Sequence, residues 1–296
     1  MCYATKSPVG MHLFLGNLVL ALTPLLAGAQ SDWPSTGQYD FSEWAGKKLE
    51  VFYSIPPLAK AESQIVIIVP GAKRNAQQYR DEWDQLAVAN QFVTLVVGAT
   101  EKDFPTEYEY NLGGVVDSIG NPRPEIEWLF SAIDPLFEDF KSRFGSKRET
   151  YSLYGHSAGG GFVHLFVLFK PNAKVETAVV ANPAFATLLD REVEFPFGLH
   201  GAPLSEDAVK PWLARRLVLL LGDRDLDPRS KPLSDSPSAR RQGPHVFARG
   251  LQLYKSALTE SKLQGSELNW RLEVVPGVGH SNAHMASYAV KHLLPK

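Results

Sequence analysis

Short runs of apolar, β-branched residues alternate with longer segments of helical periodicity along most of this chain. This alternation is typical of a mostly parallel β-sheet whose faces are covered by helices. The runs predict strands over residues 49–54, 64–69, 92–97, 149–154, 175–180, 217–221 and 270–275. Because the sequence shows neither an internal repeat nor an interdomain linker, we predict a single α/β domain over residues 30–296.

Three segments between the predicted strands carry apolar side chains at helical spacing. The first helix follows Asn75, a predicted N-cap with Gln78 three residues later, the second covers about 125–144, and the third covers about 245–258. The side chains predicted to face the core are Tyr79, Trp83, Leu86 and Ala87 in the first helix, Ile126, Leu129, Phe130, Ile133, Phe137, Phe140 and Phe144 in the second, and Phe247, Leu251, Tyr254 and Leu258 in the third.

Two stretches depart from this alternation. Residues 183–212 are rich in Pro, Gly and Phe, and we predict that they fold over the carboxyl edge of the sheet as a small cap. Residues 229–243 are rich in Ser, Pro and Arg and predict a polar loop. A loop of that length is typical of either a functional segment or disorder, and the sequence leaves both interpretations open.

The N-terminus has the layout of a secretory signal peptide over residues 1–29. Lys6 precedes an apolar run over residues 13–26, and Ala27-Gly28-Ala29 fits the small-residue cleavage site. The run is shorter than the roughly 20 residues of a membrane-spanning helix, which makes a spanning or buried helix the weaker alternative. We therefore expect a secreted or periplasmic protein without a stable membrane anchor.

The amino-acid composition and net charge of the chain limit the kinds of molecule that it is expected to bind. Thirty basic and 32 acidic residues give a formal net charge of -2, which provides no field for attracting nucleic acid or an anionic membrane. Hydrophobic residues make up 44% of the chain, enough for a full-sized core, and the single cysteine, Cys2, would leave with the signal peptide. We expect a small or neutral molecule as the partner, while the oligomeric state is left open.

The clearest chemical motif is Gly155-x-Ser157-x-Gly159. It follows a predicted strand and precedes the apolar segment 161–169, which is the strand–turn–helix context of a nucleophile elbow. Small residues on either side of Ser157 let the strand and the helix approach closely. Ser157 is therefore the candidate nucleophile, and a glycine-rich structural turn is the alternative.

A serine hydroxyl needs a positioned base, and hydrolases of this architecture carry their residues in the chain order Ser, acid, His. His280 follows the last predicted strand on a glycine-rich loop and is the candidate base. The acid is expected among Asp223, Asp225 and Asp227, which follow the strand over 217–221. Asp225 lies in the middle of that loop and is the preferred candidate. Asp227 is the stronger of the two alternatives, although Pro228 after it favours an extended backbone rather than a tight turn.

Two further assignments concern the surroundings of Ser157. The turn at Gly71 could present the backbone amide of Ala72 or Lys73, which with the amide of Ala158 would form an oxyanion hole. A simple turn into the following helix is the alternative.

The remaining histidines predict no further chemistry. His284 lies one helical turn after His280, but no third ligand has suitable spacing, so we predict neither a metal site nor a cofactor. His156 and His164 are predicted to pack or hydrogen-bond, with His156 directed away from the catalytic face.

From about Ile65 to its end, the chain resembles the esterase and polyhydroxyalkanoate-depolymerase-like branch of the α/β-hydrolases. The resemblance implies Ser157 as nucleophile, Asp225 as acid, His280 as base, and hydrolysis of a carboxylic ester through an acyl-enzyme. The matching stretches are Pro70-Gly71-Ala72-Lys73-Arg74-Asn75, Tyr110-Asn111-Leu112-Gly113-Gly114, Gly155-His156-Ser157-Ala158-Gly159-Gly160, Gly222-Asp223-Arg224-Asp225 and Pro276-Gly277-Val278-Gly279-His280.

The chain also departs from this family pattern. Many relatives carry His-Gly where this chain has Pro70-Gly71, and many secreted depolymerases carry cysteines and a substrate-binding module that this chain lacks. We therefore expect a small-molecule ester as the substrate. Peptide cleavage or acyl transfer with the same three residues, and a non-catalytic ligand-binding protein, are the alternatives.

Overall fold

The computed structural model describes residues 1–4, 33–228 and 234–294. The predicted signal peptide therefore lies outside the described residues except for its first four positions. The same holds for 229–233 in the predicted polar loop. Within the described part of the chain, no helix has the length and apolar character needed to cross a membrane.

An eight-stranded sheet forms the centre of the domain, in the order β1-β2-β4-β3-β5-β6-β7-β8. β2 pairs antiparallel with β1 and with β4, and every other neighbouring pair is parallel. All the predicted strands are present, with ends shifted by at most two residues. The strands are β1 Thr36–Phe41, β2 Leu49–Ser54, β3 Ile65–Val69, β4 Val93–Gly98, β5 Tyr151–His156, β6 Val175–Ala181, β7 Leu217–Gly222 and β8 Trp270–Val275.

β1 is the strand that the sequence pattern did not predict. It is an edge strand in which exposed and partly buried residues alternate as far as the buried Phe41. Gly37 and Asp40 have low intrinsic preference for strands, so the segment lacks the apolar run that marks the central strands. The backbone hydrogen bonds to β2 therefore stabilise the extended conformation of β1, which its own sequence does not favour.

Helices cover both faces of the sheet, and the two-residue alternation of the strands assigns each face its own core. Val66 and Ile68 contact the layer of α1 and α8, while Ile65, Ile67 and Val69 contact the layer that includes α3, α4, α5 and α7. The helices are α1 Ala76–Asn90, α2 Glu107–Tyr110, α3 Ile133–Phe144, α4 Ala158–Phe169, α5 Val209–Ala214, α6 Pro237–Gln242, α7 Val246–Leu263 and α8 Asn282–Leu293.

The predicted helix over 125–144 is wrong in its first half. Two short 3₁₀ helices, Glu125–Glu127 and Leu129–Ala132, precede α3, and Ile126 is exposed rather than buried. Pro135 explains the break, because proline has no amide hydrogen and its ring clashes with the preceding turn, so it is tolerated in the first turn of a helix but not further in. α3 accordingly begins at Ile133.

The third predicted helix exists, and Phe247 and Tyr254 pack partly buried against the core as predicted, but the most buried face is a neighbouring one. Leu251 and Leu258 are exposed, whereas Arg249, Gly250, Leu253 and Ala257 are buried. Gly250 lies on the face turned to the sheet, where a Cβ atom would clash with the Leu221 side chain of β7. α7 therefore approaches the sheet closely at a position without a side chain.

Two local predictions near helix starts are also corrected. Asn75 occupies the N-cap position of α1, but its side chain accepts no hydrogen bond from a backbone amide, and its Nδ2 donates to Gln78 Oε1. The predicted polar loop over 229–243 contains α6. Ser236 accepts a hydrogen bond from the Ala239 amide and Pro237 occupies the first turn, which together start this helix.

Residues 183–212 lead from β6 largely through turns and end within α5. Phe185 and Phe197 are buried in the same core as α4, and Trp212 in α5 is fully buried there as well. The end of this segment is thus part of the helical layer, whereas Ala184 at its start lines the cavity above Ser157.

Candidate active site

Ser157 occupies the sharp turn between β5 and α4. Its backbone has φ 60° and ψ -118°, a conformation that costs energy for a residue with a side chain. A Cβ atom at Gly155 would clash with the carbonyl of Gly159, and one at Gly159 would clash with the carbonyl of Val69. The glycines of the motif are therefore required by the close approach of strand and helix at this turn.

The three residues selected for the triad lie in one hydrogen-bonded chain. His280 Nε2 is 2.8 Å from Ser157 Oγ, and His280 Nδ1 is 2.5 Å from Asp225 Oδ2. The Asp225 side chain is fully buried, whereas that of His280 is 23% exposed. A carboxylate at this place fixes the ring orientation and the tautomer with the proton on Nδ1, which leaves Nε2 as the acceptor for the serine hydroxyl.

The other two aspartates of the loop after β7 lie elsewhere. Asp227 is exposed, and Asp223 Oδ1 accepts a hydrogen bond of 2.7 Å from the amide of Gly277. Asp223 therefore joins its own loop to the loop that carries His280.

Asn182 makes a second connection between these loops, which sequence reasoning did not find. It is fully buried with φ 42°, its Oδ1 accepts from the Gly222 amide at 2.8 Å, and its Nδ2 donates to the Gly279 carbonyl at 3.2 Å. Gly222 leads into the loop of Asp225, and Gly279 directly precedes His280. One carboxamide thus spans both loops, and the sole sequence signal for it is an asparagine directly after β6 at the carboxyl edge of the sheet.

Ala72 and Ala158, the predicted oxyanion donors, both line the cavity that contains Ser157. Ala158 is the first residue of α4, where backbone amides have no acceptor within the helix. The turn before Ala72 is held in place by two tyrosines: Tyr110 donates to the Pro70 carbonyl at 2.7 Å, and Tyr79 accepts from the Gly71 amide at 3.0 Å.

The prediction that His156 points away from the catalytic face is wrong, because His156 lines the cavity that contains Ser157. Its Nδ1 is 3.2 Å from the hydroxyl of Tyr79, and its ring centroid lies 4.7 Å from that of His280. The reason is the period of two along β5. Tyr154 faces α1 and α8, so His156 faces the same layer and meets the loop that precedes α8.

His164 is fully buried in α4 and hydrogen-bonds as predicted. Its Nδ1 donates to the Gly160 carbonyl at 3.1 Å, and its Nε2 accepts from the Thr187 amide at 3.2 Å. Burial lowers the pKa of His164 from 6.5 to about 4, although the hydrogen bond to Gly160 opposes the shift. The imidazole is therefore neutral in the folded protein at physiological pH.

This shift predicts acid sensitivity of the fold. Between pH 6.5 and about 4 the unfolded chain binds a proton at His164 that the folded chain does not, so stability falls as the pH falls through this window. Relative to a His164→Gln variant, the wild-type protein should lose an additional ~3 kcal/mol of unfolding free energy on going from pH 7 to pH 4. Urea unfolding at both pH values measures this loss.

Glutamine at position 164 can still accept from the Thr187 amide but does not titrate in this range. His284→Gln, which replaces an exposed histidine on α8, is the matched control and should keep the acid dependence of the wild type. Equal acid losses in the wild type and the His164→Gln variant would contradict the assignment.

The cavity above Ser157 has a volume of about 490 Å³. Ala72, Ala158, Ala184 and Pro228 contribute apolar lining, and polar and charged side chains line other parts of the cavity. The charged and amide-bearing residues of the lining are Lys73, Asn75, Gln78, Glu82, Glu107, Asn111 and Asn282.

Among solved structures, poly(aspartic acid) hydrolase-1 from Sphingomonas sp. KT-1 is 40% identical over 88% of this chain and 98% of that chain, with a TM-score of 0.84. A poly(3-hydroxybutyrate) depolymerase from Bordetella parapertussis is 29% identical over 86% of this chain and 88% of that chain, with a TM-score of 0.80. An S-formylglutathione hydrolase from Agrobacterium tumefaciens, 15% identical over 87% and 92% of the two chains with a TM-score of 0.55, shares the fold. No protein-family model and no curated protein sequence matches this chain.

The chain belongs to the α/β-hydrolase superfamily, in its esterase and polyhydroxyalkanoate-depolymerase-like branch. The fold predicted from the sequence is thereby confirmed. At this level of description the protein is a hydrolase of the esterase and depolymerase type.

Proposed function

We propose that the protein is a serine hydrolase that cleaves carboxylic esters through an acyl-enzyme, with Ser157 as nucleophile, His280 as general base and Asp225 as the acid that orients it. The observation that carries the proposal is the continuous hydrogen-bonded chain from Asp225 through His280 to Ser157. Ser157, at the end of this hydrogen-bonded series, lines a cavity large enough for a small substrate.

The reaction would follow the sequence that this arrangement permits. As Ser157 Oγ attacks the ester carbonyl, its proton passes to His280 Nε2 across the 2.8 Å hydrogen bond. The buried carboxylate of Asp225 stabilises the imidazolium that forms. Backbone amides of Ala158 and Ala72 are proposed to bind the tetrahedral oxyanion.

Collapse of the tetrahedral intermediate expels the alcohol, which takes the proton from His280 and leaves Ser157 acylated. A water molecule then attacks the acyl carbonyl, and His280 takes its proton and returns it to Ser157 Oγ as the carboxylic acid departs. The net reaction consumes one water and yields one acid and one alcohol, without a cofactor.

A second candidate is hydrolysis of an amide bond in a polyanionic substrate. The observation that favours it is the 40% identity to poly(aspartic acid) hydrolase-1. The same residues would act, with an amine in place of the alcohol as leaving group. Comparing turnover of poly(aspartic acid) with that of small esters by the purified protein separates the two candidates.

An organophosphonate that mimics the tetrahedral intermediate should label the protein once per chain. The expected result is an adduct on Ser157, because the activated hydroxyl attacks phosphorus as it would attack a carbonyl. Intact-protein and peptide mass spectrometry measure the stoichiometry and the site. An adduct on another residue, or no adduct with the folded protein, would contradict the proposed nucleophile.

We also propose that the protein is exported to the periplasm or secreted, which rests on the predicted signal peptide over residues 1–29. The same intact-mass measurement on protein purified from its native host reports the N-terminus. A mature chain that begins at Gln30 is expected, and a full-length chain would contradict export through this segment.

A further inference from the structure

One side of the cavity above Ser157 is lined by four connected polar side chains, which we call the polar wall: Asn75 at the N-cap of α1, Gln78 and Glu82 of α1, and Asn282 of α8. The catalytic proposal uses none of them. Asn282 follows His280 by two residues, and Ser281 between them also lines the cavity. The polar wall is therefore continuous with the loop that holds the proposed base.

The hydrogen bonds of the polar wall have directions that are fixed by Glu82, because an ionised carboxylate only accepts. Gln78 Nε2 donates to Glu82 Oε1 at 2.7 Å, and Asn282 Nδ2 donates to Glu82 Oε2 at 2.5 Å. Each amide oxygen then points away from Glu82. Gln78 Oε1 accepts from Asn75 Nδ2, and Asn282 Oδ1 accepts from the buried hydroxyl of Tyr154 at 3.0 Å.

These contacts hold the Glu82 carboxylate in one orientation without neutralising it. Within the described residues, both of its hydrogen-bond partners are neutral amides. Each carboxylate oxygen can accept more than one hydrogen bond, and Glu82 is only partly buried where it lines the cavity. The polar wall thus presents a fixed anionic acceptor to whatever occupies the cavity.

We propose that Glu82 forms a subsite that binds a hydrogen-bond donor of the substrate, a hydroxyl or an ammonium group, on the part of the molecule next to the scissile bond. This inference rests on the proposed esterase function and adds a specificity determinant to it. A hydrogen bond to a charged acceptor contributes more than one between neutral groups, so an ester that carries such a donor should be preferred over its plain counterpart.

The test compares kcat/KM for matched esters, measured by titration of the released acid. On the acyl side the esters are methyl butyrate, methyl β-hydroxybutyrate and methyl β-aminobutyrate, and on the alcohol side they are propyl acetate and ethylene glycol monoacetate. Each is measured with the wild type, with Glu82→Gln and with Asp81→Asn. Asp81 is an exposed neighbour on the same helix, so its variant changes the net charge equally without touching the cavity lining.

The quantity of interest is the ratio of kcat/KM for the donor-bearing ester to that for the plain ester. A ratio cancels any disturbance of His280 through Asn282, since both esters use the same base. We expect a ratio of roughly tenfold or more in at least one series for the wild type and for Asp81→Asn, and a ratio within about twofold of one for Glu82→Gln. The series that shows the preference, and whether the amine or the hydroxyl gives the larger ratio, identifies the donor.

Two outcomes would overturn the subsite alone: ratios near one in every series for a wild type that hydrolyses the esters, or a large ratio that Glu82→Gln retains. A protein that hydrolyses none of the esters and takes no phosphonate label on Ser157 would instead overturn the proposed function, and the subsite with it.

Discussion

Ser157→Ala is expected to reduce ester turnover by about six orders of magnitude, since the members of a triad act as a unit. Without the hydroxyl oxygen no acyl-enzyme can form, and the hydrogen bond from Ser157 to His280 Nε2 is lost. Backbone amides and the cavity remain, so a residual acceleration over the uncatalysed reaction of about three to four orders of magnitude is expected. The measurement is kcat for a small chromogenic ester at saturating concentration.

The substitution should leave the fold intact. Alanine removes one oxygen atom, and the strained backbone conformation at position 157 is imposed by the turn between β5 and α4 rather than by the serine side chain. Ser287→Ala, at an exposed position of α8, is the matched control and should retain wild-type turnover. A folded Ser157→Ala protein that keeps most of its activity would refute the proposed nucleophile.

The strands were predictable because most of them are buried on both faces. β3, β4, β5 and β7 are buried along their whole length, and β3, β4 and β7 accordingly read as nearly continuous apolar runs in the sequence. β1 was not predictable, since it lies at an edge and owes its conformation to β2. The buried faces of the helices were harder to predict, because they depend on contacts with distant residues, such as the close approach of Gly250 in α7 to Leu221 in β7.

The candidate residues Ser157, Asp225 and His280 could be predicted, because each lies in a short sequence motif next to a predicted strand. The turn around Ser157 needs glycines at fixed offsets, and the loops of Asp225 and His280 follow their strands in an order common to the superfamily. The structure brings these three side chains together, while their catalytic role stays a prediction.

The supporting contacts were not predictable, since they join residues far apart in the chain. Asn182 is 40 residues from Gly222 and 97 from Gly279, and no local pattern marks such a connection. His156 is a different case. The alternation along β5 that places Tyr154 against α1 and α8 also places His156 there, so the period of two could have corrected its predicted direction.

Asp225→Asn is expected to lower kcat by roughly four orders of magnitude, the loss measured for the equivalent change in a serine protease triad. Asp225 is fully buried and contacts His280 Nδ1 at 2.5 Å. An asparagine there could present its own amide hydrogens to the ring, which would favour the tautomer with the proton on Nε2. That nitrogen could then no longer accept the proton of Ser157.

The two neighbouring aspartates serve as matched controls for the same chemical change. Asp227 is exposed, and Asp223 accepts a backbone hydrogen bond from Gly277 that the Oδ1 atom of asparagine can also accept. Asp227→Asn and Asp223→Asn should therefore each stay within roughly tenfold of the wild-type kcat, which corresponds to about 1.4 kcal/mol of activation free energy. If Asp227→Asn gives the large loss and Asp225→Asn the small one, a serine-histidine mechanism survives, but the hydrogen bond between Asp225 and His280 does not identify the acid that supports it.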